Sequence, residues 1–213
     1  MKWQVKYALE NLRGGNGVIL AEHAGGEAIR VQVREQPEVL AVISDTDRMT
    51  TELASHYHRE WPGMDFLCGF RKECIWEGGA ITYAESNSIG WGSIGTLSSA
   101  IPKGSVNRAS HKAYAFAFRL IDQLHCVTVV DREFDRIVTV TLVSGRTLRI
   151  GMILEYEPAA DHVRDFWKNF GAIDIAWNIN PNGSPTPSAI EAGRGLGCKV
   201  LKWDDLKPIL QKG

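Results

Sequence analysis

The chain has 213 residues, with 24 Lys and Arg against 25 Asp and Glu, and a net charge of −1 at pH 7. At 44% hydrophobic and 23% charged residues it has the composition of a folded chain, long enough for one core or two small ones, and not of a disordered one. The balance of charge excludes a broad basic surface that coats nucleic acid through many phosphates, so any such contact has to be local.

In chain order, residues 5–12 have the spacing of a short amphipathic helix, stopped by Arg13-Gly14-Gly15-Asn16-Gly17. Strands are expected at 18–21 and 28–33, turned at Gly25-Gly26, and an all-apolar strand at 39–43. Thr46 is placed to cap a helix over 46–61 carrying Met49, Leu53, Ala54 and Tyr57, which Pro62-Gly63 ends. A strand at 64–70, a helix at 77–86 and a strand at 89–94 follow. The second half repeats this order. A helix over 113–124 has Phe116, Leu120 and Leu124 at i, i+4, i+8. Strands at 127–130, 137–143 and 147–154 form a meander. A helix over 159–170 presents Val163, Phe166, Trp167 and Phe170, and a strand at 173–179, a helix at 187–196 and a strand at 199–203 close the chain.

The two halves share one offset of 109 positions, Asp65 falling on Asp174. Identities are few (Val18/Val127, Val31/Val140, Asp65/Asp174, Ala80/Ala189, Ile81/Ile190, Leu97/Leu206), so the repeat rests on apolar runs, turns and helical periods agreeing in order and spacing. The expected organisation is a first unit at 1–101, a linker at 102–112 with the composition of a loop, and a second unit at 113–213. Cys68, Cys74, Cys126 and Cys198 have no C-x-x-C spacing, so buried free thiols are expected. No apolar run nears the ~18 residues of a membrane helix, and Met1-Lys2-Trp3-Gln4-Val5-Lys6 lacks the apolar stretch of a secretory leader. A cytoplasmic protein with no membrane partner is expected.

The order αβββαβ, with a further helix and strand, resembles the core of the PD-(D/E)XK superfamily, the restriction-endonuclease-like fold. The closing run is similar to Mrr-type restriction domains: Ile173-Asp174-Ile175-Ala176-Trp177-Asn178, Thr186 to Ala189, Ala192-Gly193, Leu196-Gly197-Cys198-Lys199-Val200-Leu201 and Asp204-Asp205-Leu206. The resemblance implies an α/β fold of two tandem αβββαβαβ units packed as a pseudo-dimer. It also implies a place in a DNA-processing or defence complex, engaging nucleic acid or a partner protein. The family's activity needs an acid at the end of the second strand and an acid-x-lysine on the third, the acids holding Mg²⁺. Neither Val39-Leu40-Ala41-Val42-Ile43 nor Leu148-Arg149-Ile150-Gly151-Met152-Ile153 supplies it. A non-catalytic binding or assembly protein without a cofactor is therefore the expectation.

Two alternatives stay open. A Mg²⁺-dependent nuclease with a migrated site would draw on Asp131, Asp135, Glu155 and Glu157, with Glu133 beside them, since hard oxygen ligands suit that ion. A sensor of a nucleotide or small anion would use the loop 178–186, which leaves a strand end and enters a helix N-terminus. Its candidates are Asn178, Asn180, Asn182 and Thr186, with Arg71, Lys72 and Trp76 from the matching loop of the first half. Lys103, Arg108, Lys112 and Arg119 form the one local basic run, a candidate for phosphate-backbone contact. Of the tryptophans, most read as core, and Trp76 and Trp91 as possible interface anchors between glycines.

Overall fold

The computed structural model describes residues 1–14, 17–71 and 74–212, and they divide into two compact units, Met1–His111 and Lys112–Gly213. Both units are mixed α/β. In the first, α1 (Trp3–Leu12) precedes the strands β1 (Val18–Gly25), β2 (Ala28–Val33) and β3 (Val39–Ser44). A two-stranded ribbon, β4 (Arg48–Met49) with β6 (Ile75–Trp76), flanks α2 (Thr51–Glu60) and β5 (Phe66–Gly69). Then come α3 (Gly78–Ser86), β7 (Gly90–Gly92) and α4 (Ile94–Ala100). The sheet order is β1-β2-β3-β5-β7; the first three strands run antiparallel, and β5 and β7 add on parallel to β3.

The second unit has α5 (Lys112–Asp122), β8 (Val127–Phe134), β9 (Ile137–Leu142), β10 (Thr147–Ile153), α6 (Ala160–Phe170), β11 (Ile175–Asn178), α7 (Pro187–Leu196), β12 (Lys199–Leu201) and α8 (Trp203–Lys212). Its sheet, β8-β9-β10-β11-β12, has the same directions. The register agrees pair by pair at the 109-residue offset. Val18↔Val33 answers to Val127↔Leu142, Ala41↔Phe66 to Ile150↔Ile175, and Phe66↔Gly90 to Ile175↔Lys199. The two irregularities in the β1–β2 pairing recur at the same places in β8–β9.

Strand alternation explains the layering, since successive side chains point to opposite faces. On β3, Val39, Ala41 and Ile43 join α1 and the α4 residues Leu97 and Ala100, while Val42 joins α2 and α3. On β10, Leu148, Ile150 and Met152 pack with α5 and α8, and Ile153 packs with α6 and α7. Each sheet is thus covered on both faces. Asp65 and its offset partner Asp174 do the same work. Each carboxylate accepts from the backbone N–H of the third strand of its unit, Leu40 at 2.9 Å and Arg149 at 2.7 Å.

Several boundaries differ from the sequence reading. Thr46 does not cap α2: its N–H bonds Ser44 Oγ at 3.3 Å and its hydroxyl donates to Arg48 O at 2.8 Å, holding a turn. Thr50 is the cap, accepting from Leu53 N at 3.2 Å. Short Ser and Thr side chains find backbone partners in either setting, and only the position of β4 decides between them. The strands expected at 89–94 and 199–203 stop early and turn into α4 and α8; Pro208 lies inside α8, a position that argues against a helix on sequence grounds. The expected linker is folded: it carries two 3₁₀ turns, Ile101 and Val106 are buried in the first unit, and Ala109 O accepts from Trp91 N. Helix α5 keeps part of its expected face: Leu120 and Leu124 pack against the core. Ala117 and Ile121 are buried, and Phe116 is 56% exposed.

Candidate functional site

In the second unit the loop that follows β11 closes on itself. Asn178 is buried; its Nδ2 donates to Glu155 O at 3.2 Å and its Oδ1 accepts from Asn180 N at 3.0 Å. Asn180 repeats the arrangement, donating to Leu154 O at 3.1 Å and accepting from Asn182 N at 3.1 Å. Gly183 passes against the carbonyl of Tyr156 so closely that a Cβ has no room there. Thr186 caps α7, accepting from Ala189 N and donating to Pro158 O. The asparagines read as ligand-binding groups therefore build the loop: chains of side-chain turns hold it to residues 154–158.

What the loop frames is a cavity of about 350 Å³ at the carboxyl end of β11, lined by Phe116, Ala117 and Leu120 of α5, residues 177–181, and Lys202, Trp203 and Asp204 at the start of α8. Trp177 and Trp203 meet there with ring centroids 5.1 Å apart and planes tilted by 33°. Trp177 is 2% exposed, and its Nε1–H has no hydrogen-bond partner among the described residues. A buried indole N–H ordinarily finds an acceptor. Clefts at strand carboxyl ends are the usual ligand positions of α/β sheets, and this volume lies in the range of small-molecule pockets. Trp177, Trp203 and Lys202 were not singled out from the sequence. Trp177 reads as a core residue by alternation, and nothing local marks the empty space beside it.

The same edge of the first unit is built differently. Phe70 packs edge-on against Trp3 at 5.3 Å and Tyr7 at 5.4 Å, and Trp3 is 69% and Tyr7 41% exposed. Arg71 is exposed but tied down, its Nε 2.6 Å from Asp45 O and 3.2 Å from Asp47 Oδ1. Lys72 lies outside the described residues. Trp76 is buried and packs on Trp91 at 5.2 Å, so neither ring is a surface anchor; both complete the core under α3.

Beside this edge is a polar cluster that sequence reasoning missed. Glu27, just before β2, accepts from Tyr57 Oη at 2.6 Å, from Gln4 Nε2 at 3.0 Å and from Lys2 Nζ at 3.0 Å, and Tyr57 Oη lies 3.0 Å from Ser44 Oγ. The hydrogen bond to Glu27 raises the Lys2 pKa, and burial followed by the Glu27 contact raises that of Tyr57. In the second unit the offset partners of Gln4, Glu27, Ser44 and Tyr57 are Ala113, Arg136, Ile153 and Phe166, which cannot form it. With its partners drawn from the start of α1, the end of β3 and α2, no sequence spacing could reveal the cluster.

The acidic candidates do not converge. Asp131, Glu155 and Glu157 are exposed. Asp135 is buried in a two-point pair with Arg136 at 2.8 and 3.0 Å. Glu133 accepts from Arg149 at 2.7–2.9 Å and from Thr139 at 2.6 Å, and the Arg149 contact holds its carboxyl below the usual range. Among the described residues no group of three His, Cys, Asp or Glu side chains is arranged to hold a metal ion. The basic run also divides, Lys103 and Arg108 falling in the first unit and Lys112 and Arg119 on α5 of the second. No helix among the described residues is long and apolar enough to cross a membrane. No family model matches the chain, and neither a curated protein nor a solved structure matches it.

Proposed function

We propose that the chain is a non-catalytic binding protein, an internal duplication of a restriction-endonuclease-like unit, which engages nucleic acid in a DNA-processing or defence assembly. The observation that carries the reading is the shared register: each strand-to-strand pairing of one five-stranded sheet has its counterpart 109 residues along in the other, down to the aspartate bonded to the third strand. The reading draws on the order of helices and strands, and among the described residues the metal-binding donor set of that family's chemistry is not assembled. The third strands carry no acid-x-lysine, and Glu133 and Asp135 are held by arginines. Nucleic acid is favoured over a protein partner by the exposed rings of Trp3 and Tyr7 packed on Phe70, next in sequence to the exposed Arg71, because bases stack on open aromatic faces beside a cation. The tandem pseudo-dimer belongs to the same proposal, and proteolysis within 102–111 that released two folded fragments would remove it.

The test pairs binding with cleavage. Labelled single-stranded oligonucleotides should bind with an affinity that falls as salt rises, and a Trp3→Ala/Tyr7→Ala double variant should weaken binding several-fold without loss of fold. No cleavage of DNA or RNA is expected with Mg²⁺ or Mn²⁺. Metal-dependent cleavage that disappears in Asp131→Ala or Glu155→Ala would overturn the reading.

A further inference from the structure

We infer that the cavity between α5, the end of β11 and the start of α8 is a binding site for a single nucleobase, carried by a free nucleoside or nucleotide or by an unpaired nucleic-acid strand. The inference deepens the binding reading above and rests on it only for the strand-borne source of the base.

Three features of the cavity select the ligand. Its walls are largely flat and apolar: the Trp203 indole tilts against Trp177, Phe116 stands at the rim, and Leu120, Ile179 and Pro181 complete the lining. Such walls take a planar ring. Trp177 lines the cavity while only 2% exposed, its Nε1–H closed to solvent, so the ring meets this wall by stacking and finds its polar partners elsewhere. The other polar groups lining the cavity include one cation and one anion, Lys202 and Asp204. That pairing suits a neutral ligand offering both acceptors and donors. It does not suit a polyphosphate, which would meet the Asp204 carboxylate with only Lys202 to offset it. A nucleobase has a flat face, ring or carbonyl acceptors and amino or imino donors in one small body, and about 350 Å³ leaves room for its sugar.

The comparison within the chain sharpens the assignment. At the 109-residue offset Trp177 corresponds to Cys68, Trp203 to Ile94, Lys202 to Ser93 and Asp204 to Gly95. Ile179 corresponds to Phe70, whose ring packs on Tyr7, the partner of Phe116. The groups that define the cavity are thus the ones in which the second unit departs from the first, on a backbone whose register is common to both. Sheet packing does not require these residues, because the first unit closes the same edge without them.

The experiment titrates the intact chain with adenosine, guanosine, cytidine and uridine, and separately with a twelve-residue oligothymidylate, following heat and tryptophan fluorescence. At least one nucleoside should bind saturably with a dissociation constant of about 1 mM or tighter. Trp203→Ala removes the stacking ring that is half-exposed at the cavity, and should weaken binding about fivefold or more. Leu120→Trp, on the cavity wall of α5, should abolish binding by filling the space and gives a second readout should Trp203→Ala fold poorly. Nucleoside binding without oligonucleotide binding would leave this site standing and remove the nucleic-acid reading. Oligonucleotide binding unaffected by both variants, with no nucleoside bound, would overturn the site and leave that reading. Nucleoside binding of unchanged strength in both variants would also overturn it, as would no saturable signal from any probe.

Discussion

Replacing Arg149 by the leucine that stands at the matching position of the first unit, Leu40, should selectively destabilise the second unit. Arg149 reaches out from β10 and joins three elements. Its Nε and Nη2 grip the Glu133 carboxylate of β8 at 2.7–2.9 Å, and its Nη1 donates to Phe170 O at 2.9 Å and Ala172 O at 2.6 Å, where α6 ends. Removing one partner of a buried charge pair costs about 3–5 kcal/mol. Here the two side chains are 24% and 28% exposed, so water recovers part of that. The lost bonds to the α6 carbonyls add to the penalty, and a net of about 2–4 kcal/mol follows. For a unit of roughly 100 residues this lowers the melting temperature by about 10–20 °C. The loss should depend on pH. Arg149 depresses the folded pKa of Glu133, so its stabilisation is fully present above the unfolded value near 4.3 and is lost as pH falls through the lowered folded value. Urea unfolding at pH 7 and near pH 3.5, with amide hydrogen exchange to locate the change, reads both effects. The variant's penalty should narrow at the lower pH and fall on the strands of the second unit. A penalty below about 0.5 kcal/mol at pH 7 would be that of an ordinary surface pair and would refute the reasoning. So would one of equal size at both pH values.

Two further outcomes follow from packing in the first unit. Glu27→Ala strands the buried Gln4 amide and leaves the Tyr57 hydroxyl only Ser44 Oγ, and should cost about 1–3 kcal/mol in chemical denaturation; Glu27→Gln, which keeps an acceptor for Tyr57, should cost less. Gly90→Ala sets a methyl against the Val106 carbonyl and the Phe66 ring, so the segment 101–109 must shift; a loss of about 1–3 kcal/mol and faster proteolysis there are expected, and full retention of stability would count against the packed role of that segment.

The α/β class and the order of the elements were legible because they depend on local pattern. The short all-apolar run at 39–43, rich in Val and Ile, reads as a strand covered on both faces, and Gly63, Gly145 and Gly197 mark stops set by local backbone preference. The 109-residue offset was legible for the same reason: each strand keeps its own apolar alternation, and alternation fixes which side chains face each layer. Tertiary structure alone decided how those faces meet. The expected stripe of α5 held at Leu120 and Leu124, which pack against the core, but not at Phe116, because which edge of an apolar face is covered depends on the elements beneath it, and these bury Ala117 and Ile121. Helix α8 escaped notice because Pro208 argues against it locally, while Leu206 and Leu210 in the core outweigh that penalty. The site residues divide in the same way. The 178–186 loop was visible from its Asn, Pro and Gly content, but whether an asparagine faces a ligand or its own loop depends on the carbonyls of residues 154 and 155, contributed by another strand's end. Glu27, Trp177 and Trp203 owe their roles to neighbours far away in sequence. A void or a buried polar cluster is a property of the space between elements, and no window of the sequence contains it.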